Sequence, residues 1–216
     1  MILTVDIGNT NTVFGLYDKT NLVYKFRVQS IHDKTTDEYA SLLLTLLERN
    51  NVSPKLIDGA IIASVVPQLL YTFNRMIKKY GKPCIVIDFG TATTFDIVND
   101  NGEYIGGIIC PGIMLASKML RSNTAQLPEV SIKKPISVIG TNTVHSIQSG
   151  IYFGYLEMIN GLLRRVLDEK FKNTTKVNII ITGGLGNDIS HDMEQKGTYE
   201  PNLTLDGLLA LYHENS

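Results

Sequence analysis

The chain has only two cysteines, Cys84 and Cys110, and their separation is not that of a metal-ligand pair. This points away from metal binding and predicts buried, reduced thiols of the kind kept in the cytosol. The histidines, His32, His145, His191 and His213, show no ligand spacing either. Basic excess is also missing: the formal net charge is −1 and no basic cluster interrupts it, which argues against a nucleic-acid partner. No apolar run approaches membrane-spanning length, and the chain enters a strand-like run at Met1 without a charged leader or cleavage site. Together these absences predict a soluble, cytoplasmic protein with neither nucleic acid nor membrane as partner. At 216 residues, 44% of them apolar, the chain is long enough for one large domain or two small ones.

What is present is a motif used twice. Val5-Asp6-Ile7-Gly8-Asn9-Thr10-Asn11-Thr12 is echoed by Ile87-Asp88-Phe89-Gly90-Thr91-Ala92-Thr93-Thr94. Each copy reads as a buried strand that delivers an aspartate and a glycine into a polar turn. Gly8 and Gly90 lack a Cβ, so the backbone can bend sharply and bring its N–H groups close to an anion. The hydroxyls and amides around them are neutral donors suited to phosphate oxygens. Each aspartate would repel phosphate directly, so its expected task is to hold a cation against the phosphate. One isolated copy is more often an ordinary turn. Two copies, each continuing into a second and third strand (Val13 to Asp18 and Leu22 to Val28; Phe95 to Asp100 and Tyr104 to Ile109), mark a duplicated supersecondary unit.

The first unit continues with a helix whose start is signalled by the capping-box spacing of Thr35 and Glu38 and whose apolar stripe is Tyr39, Leu43, Leu46 and Leu47. A buried strand over 59–66 follows, then a second helix from Pro67 carrying Leu70, Phe73, Ile77 and Tyr80. After Ile109, Pro111-Gly112 leads into a helix through Leu120, and a long helical pattern runs from Thr143 to Lys170. Gly150, Gly154 and Gly161 lie inside it at about 1 kcal/mol each against alanine, a cost that predicts close packing, across a dimer interface or within the monomer. A last strand, Val177 to Ile181, ends at Thr182-Gly183-Gly184, where a nucleotide's base or ribose could rest on bare backbone. The expected division is residues 1–82 and residues 83–216.

Duplicated strand-rich units that each open on an acidic-glycine turn resemble the acetate kinase, hexokinase, actin and Hsp70 superfamily, an α/β fold of two ribonuclease H-like, actin-like ATPase units. Within it the chain is similar to the type III pantothenate kinases. The stretches that carry the likeness are 6–13, 87–96, Gly106-Gly-Ile-Ile-Cys-Pro-Gly112, Thr124-Ala-Gln-Leu-Pro128, 139–143 with 146–150, Thr182-Gly-Gly184 and Pro201-Asn-Leu-Thr-Leu205, nearly the whole chain in the family's order. The resemblance implies ATP:pantothenate phosphotransfer at the start of coenzyme A synthesis, with ATP, Mg²⁺ and a monovalent cation, K⁺ or NH₄⁺, in a homodimer. It implies that Asp6, Ile7, Gly8, Asn9, Thr10, Asn11, Thr12 and Val13 bind ATP phosphates and their metal, that Asp88 holds the monovalent cation, that Thr91 touches the phosphates and that Thr143 contacts pantothenate. For Thr143 a second role, capping the long helix, stays open.

The family also carries an additional strand and helix before the second motif, with a Gly-Ala-Asp-Arg sequence whose aspartate takes the substrate's hydroxyl proton. Here only Gly81-Lys82-Pro83 separates Tyr80 from the strand at Cys84, and no Gly-x-Asp-Arg occurs in the chain. The first unit is therefore shortened, and the catalytic base is unassigned. Asp96 and Asp58 are the nearby acidic candidates. Two functional readings follow: an active pantothenate kinase, or a nucleotide-binding or regulatory homologue that has lost the base.

Overall fold

The computed structural model describes residues 1–31, 33–64, 79–122 and 127–216. The chain separates into two compact units, Met1–Lys79 with Asn202–Ser216, and Tyr80–Pro201. Five helices are described: α1 (Thr36–Arg49), α2 (Ile113–Ser122), α3 (Thr143–Lys170), α4 (Gly186–Ser190) and α5 (Leu203–Glu214). The helix expected from Pro67 to Tyr80 lies outside the described residues up to residue 78, as do His32 and residues 124–126 of the Thr124–Pro128 stretch.

In the first unit, β1 (Ile2–Ile7), β2 (Asn11–Asp18) and β3 (Asn21–Gln29) form an antiparallel meander, and β4 (Gly59–Ser64) joins β1 in parallel, giving the order β3-β2-β1-β4. Side chains alternate across the sheet. Leu3, Val5, Phe14 and Leu16 face the α1 side and bury with Leu47 and Val52. Val13 and Tyr17 face the other way, against Leu205 and Leu209 of α5. That helix was expected in the second unit, with the rest of residues 83–216. It packs in the first because its leucines cover this sheet face, and Gly15 leaves room for Leu205: a Cβ there would stand 3.1 Å from the leucine's Cδ1. The capping box on α1 forms as read, with the Glu38 carboxylate accepting from Thr35 N–H at 2.7 Å and Glu38 N–H donating to the Thr35 hydroxyl at 3.3 Å.

The second unit repeats this plan. An antiparallel meander of β5 (Cys84–Phe89), β6 (Ala92–Val98) and β7 (Tyr104–Pro111) takes β8 (Asn178–Thr182) in parallel beside β5, and the short β9 (Thr198–Tyr199) extends it to the order β7-β6-β5-β8-β9. Ile85, Ile87, Phe89, Phe95 and Ile97 face α3 and pack with Ile151, Tyr155, Ile159 and Leu163. Burial lifts the Cys84 thiol to about 11 and also raises that of Cys110, so both buried, free thiols stay protonated at neutral pH. Among the described residues no helix is long and apolar enough to cross a membrane.

Helix α3 spans the residues its apolar pattern predicts, with Asn142 as its N-cap: the Asn142 Oδ1 accepts from His145 N–H at 2.9 Å. Thr143, the alternative cap, is the first helical residue. A Cβ built on Gly150, Gly154 or Gly161 of this helix meets no described atom within 4 Å. Gly161→Ala should stabilise a monomeric chain by about 1 kcal/mol and raise Tm by roughly 2–4 °C in a thermal melt. A lowered Tm would mean that a second surface fills the space.

Candidate active site

The first glycine turn is held by internal donors. Ile7 and Thr12 form the last rung of the β1–β2 ladder, leaving Gly8 to Asn11 outside it. Gly8 N–H donates to Asn11 O at 3.0 Å and closes the turn, and a Cβ on Gly8 would lie 3.0 Å from that same oxygen. Ser30, just past β3, braces it from outside: its hydroxyl donates to Gly8 O at 2.6 Å, its N–H donates to Thr10 O at 2.9 Å, and its oxygen lies 2.9 Å from the Thr12 hydroxyl. Within the 6–13 stretch, Ile7, Thr12 and Val13 are the frame, while Asn9 and Thr10 are exposed. Ser30 was missed in the sequence, where its only signal is a hydroxyl residue one step beyond Gln29, the register partner of Asn11.

Asp6 stands at the end of β1 on the sheet face opposite α1. Burial pushes its carboxyl up from the ordinary aspartate range, and the Arg27 guanidinium draws it partly back. The two share one row of the sheet, Asp6 opposite Val13 and Val13 opposite Arg27. A carboxylate that has lost hydration gains from a cation, so Asp6 suits a metal that is itself shared with phosphate oxygens and water. Mg²⁺ is commonly held by one or two carboxylates plus substrate phosphates. Among the described residues no group of three or more His, Cys, Asp or Glu side chains converges.

The second turn is tighter and is held by glycines. Phe89 pairs with Thr93, so only residues 90–92 lie outside the β5–β6 ladder, and Thr91 is exposed at its tip. Gly112 N–H donates to Thr91 O at 3.1 Å, and a Cβ on Gly112 would reach within 2.6 Å of Gly90 O and closer still to Thr91 O. Parallel pairing of Asp88 with Thr182 brings the third turn alongside. Gly183 there has φ +89°, and its Cβ would stand 2.5 Å from Asp88 Oδ1. Asp88, Gly90, Thr91, Gly112 and Gly183 therefore form one cluster at one end of this sheet.

Thr143 is elsewhere in the same unit, exposed at the start of α3 and lining a cavity of about 770 Å³. Pro111, next to the Gly112 wedge, forms one wall; Ala116 and Leu120 of α2 and Ile147 and Ile151 of α3 supply others. Tyr155, read in the sequence only as part of an apolar stripe, also lines it, with its hydroxyl bonded to that of Thr93. Of the two acidic candidates for the base, Asp58 lies away from these features and Asp96 shares the sheet face of Asp88. Asp58 pairs with the terminal ammonium of Met1 at 2.6 Å, at the opposite end of β1 from Gly8. Asp96 is buried within β6, where it accepts from the Thr94 hydroxyl at 3.3 Å and the Tyr104 hydroxyl at 3.4 Å. Alternation along β6 puts it on the sheet face opposite Thr93 and the cavity.

The geometry can be set beside known proteins. A family model described as type III pantothenate kinase matches residues 2–82 and 78–165. The type III pantothenate kinase of Koribacter versatilis (strain Ellin345) is 38% identical over 266 aligned residues, covering 100% of this chain and 96% of that protein. That of Halalkalibacterium halodurans is 35% identical over 256, covering 100% of each. Both alignments are longer than the 216 residues present, and the two family matches meet at 78–82, beside Gly81-Lys82-Pro83. Among solved structures, the activator of the 2-hydroxyisocaproyl-CoA dehydratase from Clostridium difficile with bound ADPNP superposes with a TM-score of 0.59 at 14% identity, covering 97% of this chain and 91% of that one. At that identity the likeness is one of fold, the two-unit α/β architecture of the actin-like ATPases and sugar kinases. By family match and by identity over its full length, the chain belongs to the type III pantothenate kinase family.

Proposed function

We propose that this chain transfers the γ-phosphoryl group of ATP to the primary hydroxyl of pantothenate, forming 4′-phosphopantothenate for coenzyme A synthesis. The observation that carries this reading is the pair of carboxylate-glycine turns, Asp6-x-Gly8 and Asp88-x-Gly90, in a chain that matches this family along its whole sequence. In the proposed assignment residues 6–13 and Thr91 bind the triphosphate, Thr143 binds pantothenate, Asp6 carries Mg²⁺ and Asp88 carries K⁺ or NH₄⁺. When bound, the divalent cation neutralises charge on the phosphate oxygens. The chain's own part is to present N–H groups and hydroxyls to the phosphates and to hold the alcohol in line with the γ-phosphorus. Thr143 is supported by its place on a cavity whose Pro111 wall adjoins the Gly112 wedge on the phosphate turn.

The absent Gly-x-Asp-Arg segment is compatible with turnover. Phosphoryl transfer passes through a loose transition state in which positioning and charge neutralisation dominate, and a general base adds roughly 10²–10⁴-fold. The working form is a homodimer in the cytoplasm. Support for the dimer is the open face of Gly150 and Gly154 on α3, which shares a surface cavity with the exposed apolar side chains of Val138 and Ile139.

ATP-dependent consumption of pantothenate, followed in a coupled ADP-release assay, should be stimulated by K⁺ and run roughly 10²–10⁴-fold below a relative that carries the missing base. Nucleotide binding without pantothenate turnover at any K⁺ concentration would contradict the proposal. Gly112→Ala should weaken ATP binding at least tenfold in a calorimetric titration, because its methyl group displaces the Gly90–Thr91 turn.

A further inference from the structure

The cavity beside Thr143 has a polar end that nothing above explains. Its walls are aliphatic: Pro111, Leu120, Leu127, Ile147, Ile151 and Met158. Tyr155, 7% exposed, nevertheless lines it, with its hydroxyl bonded to that of the fully buried Thr93. The Tyr155 ring is fixed as well as its hydroxyl, since Phe89 packs edge-on to it at 6.2 Å between ring centroids. Packing alone would be served as well by phenylalanine. A hydroxyl placed in an apolar wall costs free energy unless it is bonded.

The position of this pair is informative. Thr93 lies opposite Phe89 on one side and Cys110 on the other, one row from the Asp88–Thr94 pair and directly after the Gly90–Ala92 turn. Burial above all lifts the Tyr155 phenol to about 12, against the lowering effect of the Thr93 bond, with Cys110 and then Asp88 adding smaller raises. Tyr155 is therefore a neutral hydroxyl at neutral pH, able to donate one hydrogen bond and accept another but unable to act as a base. Thr143 stands on the same cavity, so a ligand inside it meets hydroxyls in two separate places, with aliphatic surface between them.

We infer that Tyr155, held by Thr93, is a substrate-positioning residue whose hydroxyl bonds a polar group of the alcohol substrate and sets it toward the Gly90–Thr91 turn. The inference rests on the kinase reading above and deepens it. The cavity then selects an elongated small alcohol with a branched aliphatic middle and polar groups on either side. Thr143 takes one polar group, the Tyr155–Thr93 pair takes the one nearer the phosphates, and the aliphatic walls take the middle.

Tyr155→Phe tests this, because it removes one oxygen and keeps the ring packing. Steady-state kinetics on the full chain should show kcat/KM for pantothenate reduced about tenfold or more, the range for one lost substrate hydrogen bond. KM for ATP should stay within twofold. Thr93→Val, of similar shape, should give a smaller loss in the same parameter, and the double variant should lose less than the two single losses combined, because both act through one hydrogen bond. Unchanged pantothenate kinetics in both single variants, whether or not Tm falls, would overturn the inference and leave the kinase reading intact. An equal rise in the ATP and pantothenate KM values would also overturn it, by assigning the pair to general structure. Absence of pantothenate turnover in the unsubstituted chain would instead overturn the kinase reading, and this inference with it.

Discussion

A backbone turn can offer N–H groups to an anion only if its carbonyl oxygens, which would repel that anion, are engaged elsewhere. Both glycine turns satisfy this constraint, by different means. In the first, the carbonyls of Gly8 and Thr10 accept from Ser30 and that of Asn11 accepts from Gly8. In the second, the Thr91 carbonyl accepts from Gly112, which fits only because it has no side chain. The carbonyls are tied down by residues distant in sequence, so each turn depends on its sheet: Ser30 arrives because β3 pairs with β2, and Gly112 because β7 pairs with β6.

The same sheets set the carboxylates. Asp6 and Asp88 each end the first strand of a meander, flanked by an antiparallel and a parallel neighbour, on the face turned away from the unit's long helix. At Asp6 burial raises the carboxyl above the ordinary aspartate range, which makes a cation beside it favourable. The cavity of the second unit belongs to the other face of its sheet. It adjoins the Gly90–Thr91 turn at the end of the sheet, where its Pro111 wall is followed by Gly112, the donor to Thr91 O.

Much of this was legible in the sequence because local signals dominate it. The duplicated Asp-x-Gly turns, the Thr35–Glu38 capping box and the apolar period of α3 are short-range patterns, and each became the element it predicted. Three features depended on long-range contact and were not legible. Helix α5 returns from the far end of the chain to cover the first sheet, which only the apolar face around Val13 and Tyr17 explains. Ser30 is an ordinary strand-end serine until β3 is in register. Tyr155 looks like one more apolar position of a helix, because a period of 3.6 records which face is buried and not what its hydroxyl meets. The acidic candidate Asp58 shows the reverse case: its carboxylate is spent on the terminal ammonium of Met1, at the far end of β1 from Gly8, whereas Asp96 shares the sheet face of Asp88 and accepts from Thr94 and Tyr104.

The central claim is that ATP binding depends on both turns. Calorimetric titration of Mg-ATP into the unsubstituted chain, Asp6→Asn and Asp88→Asn tests it most directly, since each change removes one charge and almost no volume. The account predicts that both variants bind at least tenfold more weakly while keeping their melting temperatures within a few degrees. Undiminished affinity in either one would show that its turn is only a bend in the chain.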